Sequence, residues 1–190
     1  MMIRIGILGD IGSGKSYVSR VFGYPVFNAD YEVSKLYRKD KEIFNKLNKK
    51  LPKYIFKFPI DKNEIKAAIL SNKNNLKKII NIVHKEIRKK MKLFLRKNKH
   101  KKIVILDIPL LLENKINNKK DILIFVDSKK KDIEKRLFKR ENFDRKLFNK
   151  FKKLQFSPLY KKKKSHFIIK NDFKKQSVKN EIKNILKKIL

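Results

Sequence analysis

Eight consecutive residues constrain this chain more than any other stretch: Gly9-Asp10-Ile11-Gly12-Ser13-Gly14-Lys15-Ser16. They match the phosphate-binding pattern G-x-x-x-x-G-K-[ST]. Glycines let backbone N–H groups turn inward as an anion nest, and the helix that follows adds its positive N-terminal end. In such a loop Lys15 reaches the β- and γ-phosphates and the Ser16 hydroxyl ligates Mg²⁺. The context fits: the apolar run Ile3–Leu8 precedes the loop as a strand, and a helical pattern follows from Gly14–Lys15 to about Phe22. The chain has five Gly, and four of them lie within Gly6–Gly14, a clustering that composition alone does not produce. That argues against the plain alternative, a glycine turn joining a strand to a helix.

The rest of the chain reads as the frame for that loop. At 190 residues it suits one domain with small mobile parts. Further apolar runs at Pro25–Asn28, Lys102–Asp107, Ile122–Val126 and Phe167–Lys170 suit strands buried on both faces. Helical patterns fill the gaps, the signature of a parallel α/β sheet. One helix follows Asp30. A long one over Asn75–Lys97 aligns Leu76, Ile79, Ile80, Val83, Ile87, Met91 and Phe94 on one stripe, and a C-terminal one aligns Val178, Ile182, Ile185 and Ile189. The highly charged segment 129–164 has weak apolar periodicity and reads as a surface helical hairpin.

Composition bounds the chemistry. There is no Cys, which excludes disulfides and thiolate metal sites, and three scattered His offer no metal-ligand spacing. No signal-peptide pattern or membrane-length apolar stretch occurs, so the expectation is a cytoplasmic protein with no membrane partner. The net charge is +35, yet only 8 of the 53 basic residues are Arg. Bidentate phosphate and base recognition favours Arg. The Lys are spread along the whole chain, which is also rich in Asn and Ile. We therefore read coding bias in preference to a selected nucleic-acid surface, although the field attracts polyanions such as nucleotides either way.

Four further features carry candidate chemistry. Asp30 stands at the C-terminal end of the second predicted strand, where parallel sheets face their ligand. It can orient and deprotonate an acceptor hydroxyl, hold Mg²⁺ through water, or cap the helix over Tyr31–Lys39. Asp107 ends the third apolar strand as a Walker B aspartate does, or it is a strand-end polar residue before the Pro109 turn. The run Ile108-Pro109-Leu110-Leu111-Leu112-Glu113 is core or an acceptor-pocket wall. Arg136 and Arg140, one helical turn apart, can close over ATP, or they belong to a solvated basic face. The small size and the lack of an Asn-Lys-x-Asp tetrad turn the reading away from motors and GTPases and toward a kinase.

Taken in order, these segments resemble the dephospho-coenzyme A kinases over nearly the whole chain, from Ile5 to Asn171. The family's G-G-I-G-S-G-K-S is similar to Gly9–Ser16. Its D-A-D resembles Asn28-Ala29-Asp30, its H-P meets His84-Lys85, and its P-L-L-F-E resembles Pro109–Glu113. Its lid arginines match Arg136 and Arg140, its later Gln matches Gln155, and its closing A-D-x-V-I-x-N resembles Ser165–Asn171. The chain departs from the pattern at Asn28, at Tyr17 for Thr, at Lys62 for Arg, and at Lys85 for Pro. The resemblance implies an α/β P-loop NTPase fold: a five-stranded parallel sheet with helices on both faces, in a single kinase domain over 1–190. Its core would cover about 1–57, 97–128 and 165–190, with a helical acceptor-binding region at about 58–96 and a lid at about 129–164.

The resemblance also implies ATP and dephospho-CoA as substrates with Mg²⁺, phosphoryl transfer to the ribose 3′-hydroxyl, and a monomer or small homo-oligomer with no specific nucleic-acid partner. Asp30, Lys15 and Arg140 would be catalytic. Gly12, Ser13, Gly14, Lys15, Ser16, Tyr17, Arg136 and Asn171 would hold ATP, with Asn171 and its neighbours near the adenine. Asp30, Lys62, His84, Pro109, Leu110, Leu111 and Glu113 would hold the acceptor, although a lone helical His is as well read as structural. Ser16 and Asp107 would serve the metal. The alternatives are another small P-loop kinase, such as a nucleoside monophosphate kinase, and a basic nucleic-acid-binding protein with a vestigial loop.

Overall fold

The computed structural model describes residues 2–141 and 143–190, so Asn142, within the expected lid, lies outside the described residues. The chain forms two compact units, one of residues 1–28 and 98–190, the other Ala29–Lys97.

The first unit is built on a parallel sheet of strands β1 (Ile3–Gly9), β2 (Val26–Asn28), β3 (Ile103–Asp107), β4 (Ile122–Asp127) and β5 (Phe167–Lys170), in the order β2-β3-β1-β4-β5. Ile5 of β1 pairs with Ile105 and Ile122, and Asn28 with Asp107, so the strand ends Gly9, Asn28, Asp107 and Asp127 gather at one edge of the sheet. Alternate residues Ile5, Ile7, Ile103, Ile105, Ile124, Val126 and Ile169 are buried with Val18 and Phe22 of α1 (Lys15–Val21 and its C-cap) and Val178, Ile182 and Ile185 of α9 (Lys175–Ile189). Leu8, Val104, Leu106, Leu123 and Phe125, which alternate with them, are buried too. Both faces of the sheet are therefore dry, as apolar runs without polar alternation require. At roughly 1.5–3 kcal/mol per buried aliphatic side chain, this cluster is the main favourable term of the unit. An ion pair, Arg4 Nη2 donating to Asp121 Oδ2 at 3.0 Å with Nε 2.9 Å from Oδ1, closes the opposite end of the sheet. Burial pushes the Asp121 carboxyl above its ordinary range even so.

The segment expected as a helical hairpin is three short helices, α6 (Lys130–Phe138), α7 (Arg145–Lys152) and α8 (Pro158–Lys164). Local capping divides it: Asp144 Oδ1 accepts from Leu147 N, Ser157 Oγ accepts from Tyr160 N, and Pro158 opens α8 where its missing N–H costs nothing. Nor is the segment all surface, since Ile133, Leu137 and Lys161 are buried.

The second unit is helical: α2 (Ala29–Lys39), α3 (Lys41–Lys50), α4 (Lys62–Ser71) and α5 (Lys73–Lys97). The long helix α5 packs against the other three. Leu76, Ile79, Val83, Ile87 and Met91 of the expected stripe are buried, while Ile80 and Phe94 lie at its margins. Asp40 and Asp61 cap α3 and α4.

Candidate active site

The phosphate loop is shaped by its glycines. Gly14 caps α1 at φ 91°, a left-handed conformation that L side chains resist. A Cβ there would meet Asn171 Nδ2 at 2.5 Å, and one on Gly9 would meet Ser13 Oγ at 2.6 Å and the Val126 carbonyl at 2.9 Å. The chain can run this close to β4 and β5 only because both positions lack a side chain. Gly12 lies against Ile133 and Leu137 of α6.

Two polar side chains hold the loop's apex. The Ser13 carbonyl accepts from Asn171 Nδ2 at 2.8 Å and from Ser128 Oγ at 2.9 Å. Asn171 is 2% exposed. Its N–H donates to the Asp127 carbonyl, and its Oδ1 accepts from Phe173 N at 3.0 Å. One buried amide thus ties the end of β5 to the end of β4 and to the loop. Ser13 is itself buried, and its hydroxyl has no hydrogen-bond partner among the described residues. The Lys15 ammonium folds back onto the Asp10 carbonyl at 2.7 Å and the Gly9 carbonyl at 3.2 Å. Ser16 lies in the first turn of α1, and Tyr17 packs against the sheet–helix core.

At the sheet edge, Asp107 is 3% exposed and its Oδ2 accepts from Asn28 Nδ2 at 2.6 Å. Asn28 suits that contact, because its amide donates a hydrogen bond that an ionised carboxylate could not. Beyond Asp107 the chain turns through Pro109 and Leu110, which has φ 57°. Leu111 is core, 1% exposed, while Glu113 remains partly reachable.

The paired arginines do not share a helical face. Arg136 is in the last turn of α6, but the helix ends at Phe138, and Arg140 lies in the following turn with its N–H on the Leu137 carbonyl. Both side chains are exposed, and the Arg136 guanidinium stacks 4.4 Å over the Phe173 ring. A cavity of about 600 Å³ opens beside the loop among Asp10, Ile11, Phe138, Phe143 and Phe148. Ser13 of the loop also lines it, whereas Lys15, Ser16 and Arg136 do not, so it borders the loop from the side of α6 and α7.

In the helical unit, Asp30 is exposed in the first turn of α2. The helix starts at Ala29, two residues earlier than expected, so Asp30 is not its cap. Lys62 opens α4, exposed. His84 is half-buried on α5, and burial, then the charge of Arg88, holds its imidazole below the ordinary value.

Sequence reasoning missed Ser128, Phe173 and Lys161. Ser128 and Phe173 follow strand ends and could have been sought there. Lys161 sits in a run of four lysines, and nothing in that run marks it as buried.

The dephospho-CoA kinase family model matches residues 3–177. The chain is 32% identical over 187 residues to the dephospho-CoA kinase of Wolbachia sp. subsp. Brugia malayi (96% of this chain, 95% of that protein) and 33% identical over 187 residues to that of Wolbachia pipientis wMel, with the same coverage. A solved structure from Thermus thermophilus superposes with a TM-score of 0.81 at 25% identity, covering 100% of this chain and 98% of its own. A nucleotide loop on this sheet, with its strand-end acids and a family match across nearly the whole chain, leaves one assignment: the chain belongs to the dephospho-CoA kinases, the enzymes that phosphorylate dephospho-CoA with ATP in the last step of coenzyme A synthesis.

Proposed function

We propose that Asp30, Lys15 and Arg140 carry the transfer of the γ-phosphoryl group to the ribose 3′-hydroxyl of dephospho-CoA. The hydroxyl oxygen attacks the γ-phosphorus, the bond to the β–γ bridging oxygen breaks, and ADP leaves. Asp30 orients the hydroxyl and takes its proton. Lys15, released from the Gly9 and Asp10 carbonyls, and Arg140 offset the charge that spreads over the transferring group. The observation that supports this reading best is the pinned Ser13 carbonyl, because a loop held by Asn171 and Ser128 presents its N–H groups without further reorganisation.

Gly12, Ser13, Gly14, Tyr17, Arg136 and Asn171 complete the ATP side, with Asn171 acting through the loop. Lys62, His84, Pro109, Leu110 and Glu113 form the acceptor side, with Leu111 as the buried support of its turn. A Mg²⁺ ion fits what is present: Ser16 and Asp107 offer hard oxygen donors. No cluster of three or more metal-ligating side chains exists among the described residues, which suits a cation carried mainly by phosphate oxygens and water. Such an ion would neutralise the β- and γ-oxygens.

Among the described residues no helix is long and apolar enough to cross a membrane. We place the enzyme in the cytoplasm, as a monomer or small homo-oligomer without a specific nucleic-acid partner, the dispersed Lys being the reason for the last.

The test is ADP release with ATP-Mg and dephospho-CoA, beside AMP and shikimate as acceptors. We expect turnover with dephospho-CoA alone, reduced by about 10³-fold or more in Lys15→Ala and in Asp30→Asn. Full activity in Asp30→Asn would remove Asp30 from the mechanism.

A further inference from the structure

Lys161 is 3% exposed, although three more lysines follow it in α8. A lysine leaves water only when its charge is answered. Here two carboxylates answer it: Glu113 Oε1 at 3.4 Å and Asp10 Oδ1 at 3.9 Å. They are not equivalent. The Glu113 side chain is 9% exposed and its Oε1 also accepts from Phe156 N at 2.8 Å, so it is the fixed anchor. The Asp10 side chain is 35% exposed and stands on the phosphate loop itself, its own carbonyl holding the Lys15 ammonium. A carboxylate in that loop opposes a triphosphate unless a positive charge is kept beside it. The neighbouring lysines do not do this, since Lys162 is paired with Asp127 and Lys163 and Lys164 are exposed.

We propose that Lys161 is a positioning residue of the phosphate loop: anchored by Glu113, it holds a buried positive charge against Asp10 and so keeps the loop receptive to a polyanion. The inference rests on the loop as the ATP site. It makes Asp10 tolerable where the family pattern has glycine, because the loop's charge is balanced from α8.

The experiment is a double-mutant cycle between Lys161→Met and Asp10→Asn in the full chain, read as ATP affinity by calorimetry, with kcat and KM beside it. Lys161→Met should weaken ATP by about tenfold, mostly in KM, because an uncompensated charge acts on binding more than on the transfer step. In the Asp10→Asn background the same change should cost less than about twofold. Equal losses in both backgrounds would overturn the proposal and leave Lys161 as a mere anchor of α8. If melting shows that Lys161→Met does not fold, Lys161→Arg decides: with the charge kept, ATP affinity should stay within about threefold, and a folded Lys161→Arg that loses tenfold overturns the proposal. Failure of the parent chain to bind ATP would instead overturn the loop as a nucleotide site, and this inference with it.

Discussion

Asn171 shows how much a single amide can carry. It donates to Ser13, accepts from Phe173 and joins β5 to β4 through its backbone, all at 2% exposure. Truncation to Ala leaves the Ser13 carbonyl with Ser128 alone and strands the Phe173 N–H. We expect Asn171→Ala to lower stability by about 1–3 kcal/mol and to raise the KM for ATP more than it lowers kcat. Chemical denaturation and steady-state kinetics check both. An unchanged KM would mean that the loop keeps its shape without the pin. The resemblance put Asn171 near the adenine, but its hydrogen bond to the loop was not legible in the sequence, because Asn171 and Ser13 are 158 positions apart.

At the scale of elements, local pattern and local chemistry separate cleanly. The stripes of α5 and α9 were legible because one face of each meets an apolar surface along its length, so burial imposes the helical period. In α9, Val178, Ile182 and Ile185 are buried in one core cluster with Ile7, Ile124 and Ile169. Ile182→Ala should cost about 2–4 kcal/mol by thermal or denaturant melting, with ATP affinity in the folded fraction close to that of the parent. A loss under 1 kcal/mol would mean that the site relaxes to fill the gap. The segment containing α6, α7 and α8 was misread because its helices are short: α7 has only Leu147, Phe148 and Phe151 on one side, half-buried, too few positions for a repeating period. One turn of apolar residues gives no period to follow, and the caps, Asp144 of α7 and Ser157 of α8, look like any other polar residues in a charged stretch.

For the whole molecule, a net charge of +35 sets the approach of its polyanionic substrates. Screening shortens that reach from about 10 Å at 0.1 M salt to about 3 Å at 1 M. We expect kcat/KM for ATP and for dephospho-CoA to fall several-fold across that range while kcat changes little. A salt-independent kcat/KM would show that the lysines do not steer.

By itself the sequence determined the loop, the five strands, the long stripes and the family, because each is encoded in neighbouring residues or in a short period. Only the tertiary structure decided that Asn28 would answer Asp107, that Asn171 and Ser128 would share one carbonyl, that Leu111 would be core, and that one lysine of four would be buried between two carboxylates. The physical reason is the same in each case. Burial and pairing are properties of residues brought together from distant parts of the chain, and a lysine's composition does not record what it will face.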